Sequence, residues 1–172
     1  MVDSPGATEA VTAPTRGAAA LLLQGSDLPR GARTQGVKSD GRVHQILAPQ
    51  GCLDEATAEF RLDNTEIRAS AEIYRDEVSA ASCFAWFTSE MGRSYAKDSV
   101  DLAVGDVSAL YVTIILARKQ RVASYAVCWR TGLLIGKVTT VGRADRLDKS
   151  LVVSLARAQA ARMASAWQAT RA

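Results

Sequence analysis

This chain of 172 residues lacks most of the patterns that announce a chemistry. It has one histidine, His44, and three cysteines, Cys52, Cys83 and Cys128. A Ser-His-Asp triad would have to use His44, and no G-x-S-x-G elbow accompanies it. It sits in a glycine-rich stretch and reads as a loop histidine. No C-x-x-C pair and no Cys/His spacing suggests a zinc site. There is no P-loop and no dinucleotide fingerprint, so no cofactor is expected. Asp98, Asp101 and Asp106 are acidic but match no EF-hand spacing, and they read as a solvated loop. No apolar run approaches 18 residues, so no membrane span is expected. No internal repeat is visible.

Charge of one sign is missing too. The chain carries 21 basic and 18 acidic residues. Arg outnumbers Lys 16 to 5, and Ala occurs 30 times, which reflects a GC-rich genome rather than a binding surface. The basic residues are scattered and have no interleaved aromatics, so nucleic-acid binding is not expected. Hydrophobic residues make up 48% and charged residues 23%, which is ordinary globular usage. A chain of this mass can bury about two-thirds of its surface.

Residues 1–16 are rich in Ala, Thr, Pro and Gly and read as a flexible lead. Residues 17–172 then form one α+β domain. The opening lacks a basic stretch followed by an apolar one, so it is not read as a signal peptide. Two compartments stay open: the cytosol, or the exterior after an export segment has been removed. The odd cysteine count leaves two readings as well. In an exported protein Cys52 and Cys83 could pair, closing a loop of about 30 residues worth roughly 3 kcal/mol. In a cytosolic one all three are small buried hydrophobes.

Periodicity supplies the elements. Residues 17–24 read as a short helix stopped by Ser26, Asp27 and Pro29. Residues 30–51 read as loop, with one short strand at Val43 to Leu47. Asp54 to Phe60 suggests one or two helical turns. From Glu66 to Tyr74, Ile67, Ala69, Ala71 and Ile73 alternate with Arg68, Ser70, Glu72 and Tyr74, which predicts a strand. Residues 77–96 take a helical period, with Phe84, Phe87, Met91 and Tyr95 on one stripe and Asp76 as N-cap. Residues 97–106 read as a turn. Strands are predicted over 108–118, 121–130 and 133–141, and their short joins demand an antiparallel meander. Asp148 caps a last helix to about Trp167, striped by Leu151, Val152, Leu155, Gln159, Arg162, Met163 and Trp167. Polar Gln159 and Arg162 mark that helix as amphipathic. The expected fold is an α+β two-layer sandwich, a mainly antiparallel sheet with helices packed on one face.

Three stretches also carry a family resemblance. The opening AAALLLQGSDLPRG resembles a short helix followed by an Asp-Leu-Pro-x-Gly turn. IRASAEIYRDEVSAASCFAWF follows, and VCWRTGLLIGKVTTVG leads into LVVSLARAQAARMASA. Together they are similar to small actinobacterial sensor-type lipoproteins and to the extracellular sensor domain of mycobacterial serine/threonine kinases of the PknH type. The resemblance spans roughly residues 17–168 and rests on packing and turn signals. It implies an antiparallel sheet flanked by helices, a cleft for a small ligand, export and disulfide bonding.

The second sheet face is where a site is expected. Arg68, Ser70, Glu72 and Tyr74 share one face of their strand. Tyr111 and Thr113 alternate with apolar neighbours, as do Tyr125 and Trp129. An aromatic face with a few polar groups resembles a small-molecule pocket, although ordinary core gives the same pattern. These eight residues are the candidate ligand contacts. Glu72 is the candidate acid or base, its pKa raised by desolvation, unless Arg68 pairs with it. The leading expectation is a sensor-like module binding a small apolar or amphipathic molecule, with a homo-oligomer left open. The alternative is a cofactor-independent cyclase or isomerase of a natural-product pathway, using Glu72, Tyr74 and Tyr111. A third reading is a protein-interaction domain using the exposed sheet.

Overall fold

The computed structural model describes residues 17–39, 46–98, 102–117 and 119–171. The predicted lead, His44, Asp101 and most of the strand expected at Val43 to Leu47 lie outside these residues. Among the described residues, seven strands form one sheet: β1 (Arg33–Lys38), β2 (Cys52–Leu62), β3 (Thr65–Tyr74), β4 (Ala96–Asp98), β5 (Val107–Ala117), β6 (Gln120–Thr131) and β7 (Leu134–Arg143). The helices are α1 (Glu77–Ser94), between β3 and β4, and α2 (Lys149–Ala169), after β7. The spatial order is β1-β2-β3-β7-β6-β5-β4, and every neighbouring pair is antiparallel. Two meanders, β1 to β3 and β4 to β7, are thus joined through α1 and close on each other at β3 and β7. No helix among the described residues is long and apolar enough to cross a membrane.

The α+β class, the antiparallel meander and both caps are as the periodicity predicts. The Ser79 N–H donates to Asp76 Oδ1 at 2.6 Å, and the Ser150 N–H to Asp148 Oδ1 at 2.9 Å. The short opening helix is a 3-10 turn, Ala18–Leu21. Asp54 to Phe60 is not helical but the middle of β2. Its Ala and Glu content favours helix locally. Pairing decides otherwise: Ala56, Ala58 and Phe60 sit opposite Ala71, Ala69 and Ile67 of β3 and are buried with them. Strand β1, within the predicted loop, and β4, within the predicted turn, form only by pairing with β2 and β5.

The helices divide between the two faces, which corrects the expectation that they share one. Gly136 and Lys137 are consecutive in β7 and so point to opposite faces. A Cβ on Gly136 would meet Trp129 at 2.2 Å and Met163 Sδ of α2 at 2.8 Å. The Lys137 ammonium instead lies 4.9 Å from the Phe87 ring centre of α1. Helix α2 and the Ala18–Leu21 turn therefore cover the face carrying Ile67, Ala69, Ala71, Trp129 and Val138. Helix α1 crosses the other. Helix α2 packs chiefly against β6 and β7, where Gly136 leaves room for it, and the Ala18–Leu21 turn lies over β2 and β3. Fully buried Gln159 donates from Nε2 to the Ser70 carbonyl at 2.8 Å. A residue read as marking the polar side of α2 thus fastens it to the sheet. Arg162 anchors the start of the fold, donating to the Leu22 carbonyl at 3.2 Å and pairing with Asp27.

Candidate functional site

Helix α1 roofs only part of its face. Beside its C-terminal half lies a groove of about 530 Å³, within the range of small-molecule sites. Its floor is Ala126 of β6 with Lys137, Thr139 and Val141 of β7. Its far wall comes from β2 and β3, with Glu59, Arg61, Glu66 and Arg68, and Gln35 of β1 at the rim. Met91 and Tyr95 of α1 close the near side. The strand register explains the floor. Arg68 faces Thr139, which faces Ala126, so three strands direct these residues to one side.

The charges in the groove are unevenly neutralised. Arg68 pairs with Glu59 at 2.9 Å, not with Glu72, which corrects the ion pair considered from the sequence. The Lys137 ammonium lies over the Phe87 ring in a cation–π arrangement, and its charge also acts on Glu72. Arg61 donates from Nε to the Asp63 carbonyl at 3.1 Å, which leaves its charge uncompensated by that bond.

Deeper under α1 is a polar cluster. The Tyr74 hydroxyl lies 2.8 Å from Glu72 Oε2 and 2.9 Å from Cys83 Sγ. It carries one proton, so the direction of the chain follows the charge of Glu72. With Glu72 ionised, Tyr74 donates to the carboxylate and the thiol donates to Tyr74. With Glu72 protonated, the carboxyl donates to Tyr74 and Tyr74 to the sulfur. Burial pushes the Glu72 carboxyl above its usual range, opposed by the Tyr74 hydrogen bond and the Lys137 charge. Burial and the nearby Glu72 charge push the Tyr74 phenol well up.

The three cysteines are buried free thiols, so Cys52 and Cys83 do not form the disulfide considered from their spacing. Burial pushes Cys52 and Cys128 up to about 12 and raises Cys83. Such thiols are poor nucleophiles at neutral pH. Among the described residues, no three His, Cys, Asp or Glu side chains group as metal ligands would.

No protein-family model matches this chain, and no curated protein matches it in sequence. The site therefore has to be read from its own geometry.

Of the eight candidate ligand contacts, Arg68 lines the groove. Ser70, Glu72, Tyr74, Tyr111 and Thr113 share its sheet face. Tyr74 and Tyr111 are buried, and the Tyr111 hydroxyl donates to the Thr88 carbonyl of α1 at 3.0 Å. Tyr125 and Trp129 stand on the opposite face, towards α2, which corrects their grouping with Tyr111. Alternation along one strand says which residues share a side. It does not say which sides of two strands coincide, because that depends on pairing register. The sequence reading missed Arg61, Lys137 and Thr139 for this reason. Met91 and Tyr95 are legible in the sequence as residues of the apolar stripe of α1, and the structure puts them at the groove.

Proposed function

We propose that this protein is a small-molecule-binding module whose ligand occupies the groove beside α1. The observation that supports it best is Lys137, a half-buried cation on the floor of a cavity of ligand size. An ammonium held there attracts a carboxylate or phosphate. Met91, Tyr95 and Val141 offer apolar surface to the rest of the molecule. This favours an amphipathic acid over a purely apolar ligand. The sensor-like character rests on the resemblance described above.

Thermal melting with a long-chain carboxylic acid and with its neutral alcohol tests the reading. The acid should raise Tm more than the alcohol, and Lys137→Met should erase the difference. No shift with either compound, or an equal shift that survives Lys137→Met, would overturn it.

One observation favours the cyclase or isomerase reading as a second possibility. A carboxyl raised by burial and held by Tyr74 is suited to proton donation. If the protein turns a substrate over, Glu72→Gln should abolish turnover while leaving ligand-induced stabilisation intact.

A further inference from the structure

The two edges of the sheet are treated differently. At one edge β1 is exposed along its whole length, carries Arg33 and Lys38, and is bulged between Thr34 and Gly36. Charge and bulges are the usual devices that stop an edge strand from pairing with another chain. At the other edge β4 has only three residues and covers β5 no further than Val112. Among the described residues, no strand lies beside the outer edge of β5 from Thr113 to Ala117. No charged residue occurs from Val107 to Ala117. Ile114, Ile115 and Leu116 are 47%, 56% and 75% exposed. The pattern is β-branched and apolar on both faces, which suits a strand in the middle of a sheet.

We propose that the open half of β5 is an interface on which a second copy of this chain adds its own β5, antiparallel, about a two-fold axis near Ile115. The open backbone edge calls for another extended strand, because its N–H and C=O groups point outward in strand register. The missing charge calls for an uncharged strand, since a charged one would lose hydration without a partner. The segment answers both demands itself. With the axis at Ile115, Ile114 faces Leu116 of the second copy on one side of the sheet. Thr113 faces Ala117 of the second copy on the other, and no like charges meet. Identical strands pairing antiparallel generate a closed two-fold dimer, so the association stops at two. The apolar residues lie along the strand, while Lys119 occupies the hairpin tip, exposed at φ 66°. Insertion of the tip into a lipid surface would call for the reverse arrangement. A stable interface buries about 1,200–2,000 Å² in total, and five strand residues a side supply less. The dimer should therefore be weak and concentration-dependent.

Sedimentation of the full chain from low to high micromolar concentration tests this. We expect a reversible monomer–dimer equilibrium. Ile115→Lys should weaken it by about tenfold or more, because two ammonium groups then meet at the axis. Val37→Lys, on β1 at the other edge, should leave it unchanged. Circular dichroism should show both variants folded, since both positions are exposed. As an independent reading, Ile115→Cys should cross-link between copies under mild oxidation while the buried native thiols stay reduced. A monomer throughout the range, open-ended aggregation, or a dimer indifferent to Ile115→Lys would each overturn the proposal. So would a monomer that co-sediments with phosphatidylglycerol vesicles through this hairpin.

Discussion

Burial raises the Glu72 carboxyl above its ordinary value of 4.5, and the consequence for stability has a definite sign. Above that value the unfolded chain has released this proton while the folded protein still holds it. Stability from this group is therefore full at low pH and falls as pH rises through the raised value. The lowered carboxyls of Asp76, Asp145 and Asp148 act in the opposite sense, but below their ordinary 3.8, outside this window. Melting curves between about pH 5 and pH 8 should show Tm falling for the wild type and a flatter profile for Glu72→Gln. Equal slopes would mean that Glu72 ionises freely in the fold. The thiols give a second residue-scale prediction. The native protein should not react with a thiol reagent on a timescale shorter than unfolding, and denaturant should release all three cysteines. Fewer than three would mean that two of them are bridged.

Elements add a second kind of constraint, close approach. Gly136 leaves room for the Trp129 ring between β7 and α2, and Gly136→Ala would drive a methyl into that ring and into Met163. Overpacking of this kind costs roughly 1–3 kcal/mol, to be read as a lower denaturant midpoint. Arg162 works at longer range, tying α2 to the start of the fold through Leu22 and Asp27. Arg162→Met should cost about 1–3 kcal/mol, the range for a part-buried charged hydrogen bond, and should speed proteolysis near residues 22–28. If the cleavage rate there stays the same, the ion pair is not what holds that segment. These couplings were only partly readable. The stripe of α2 is plain from its period, and Asp148 from its cap position. That Gln159 lies against the sheet is decided by tertiary packing, which brings its Nε2 to the Ser70 carbonyl.

At the scale of the whole molecule, the groove and the open β5 edge share no residue. The two proposals can therefore fail separately. A monomeric Ile115→Lys protein should keep the full acid-induced rise in Tm, and Lys137→Met should leave the sedimentation profile unchanged. Cross-effects in both variants would mean that ligand binding and association are linked through α1, whose C-terminal end leads directly into β4.

The sequence by itself determined what is local. Period two made β3, β5, β6 and β7 legible, period 3.6 gave both helices, and two aspartates marked where the helices begin. Joins of two residues made the meander antiparallel. The sequence did not determine β2: Asp54 to Phe60 reads as helical turns from its Ala and Glu residues, and only the pairing with β1 and β3 makes it a strand. Tertiary structure alone decided what depends on register and on faces. It put α1 and α2 on opposite sides, turned Tyr125 and Trp129 away from Tyr111, and brought Lys137 beside Arg68. The physical reason is that a strand's two sides are equivalent until a neighbour is paired. A one-residue change of register would have exchanged them.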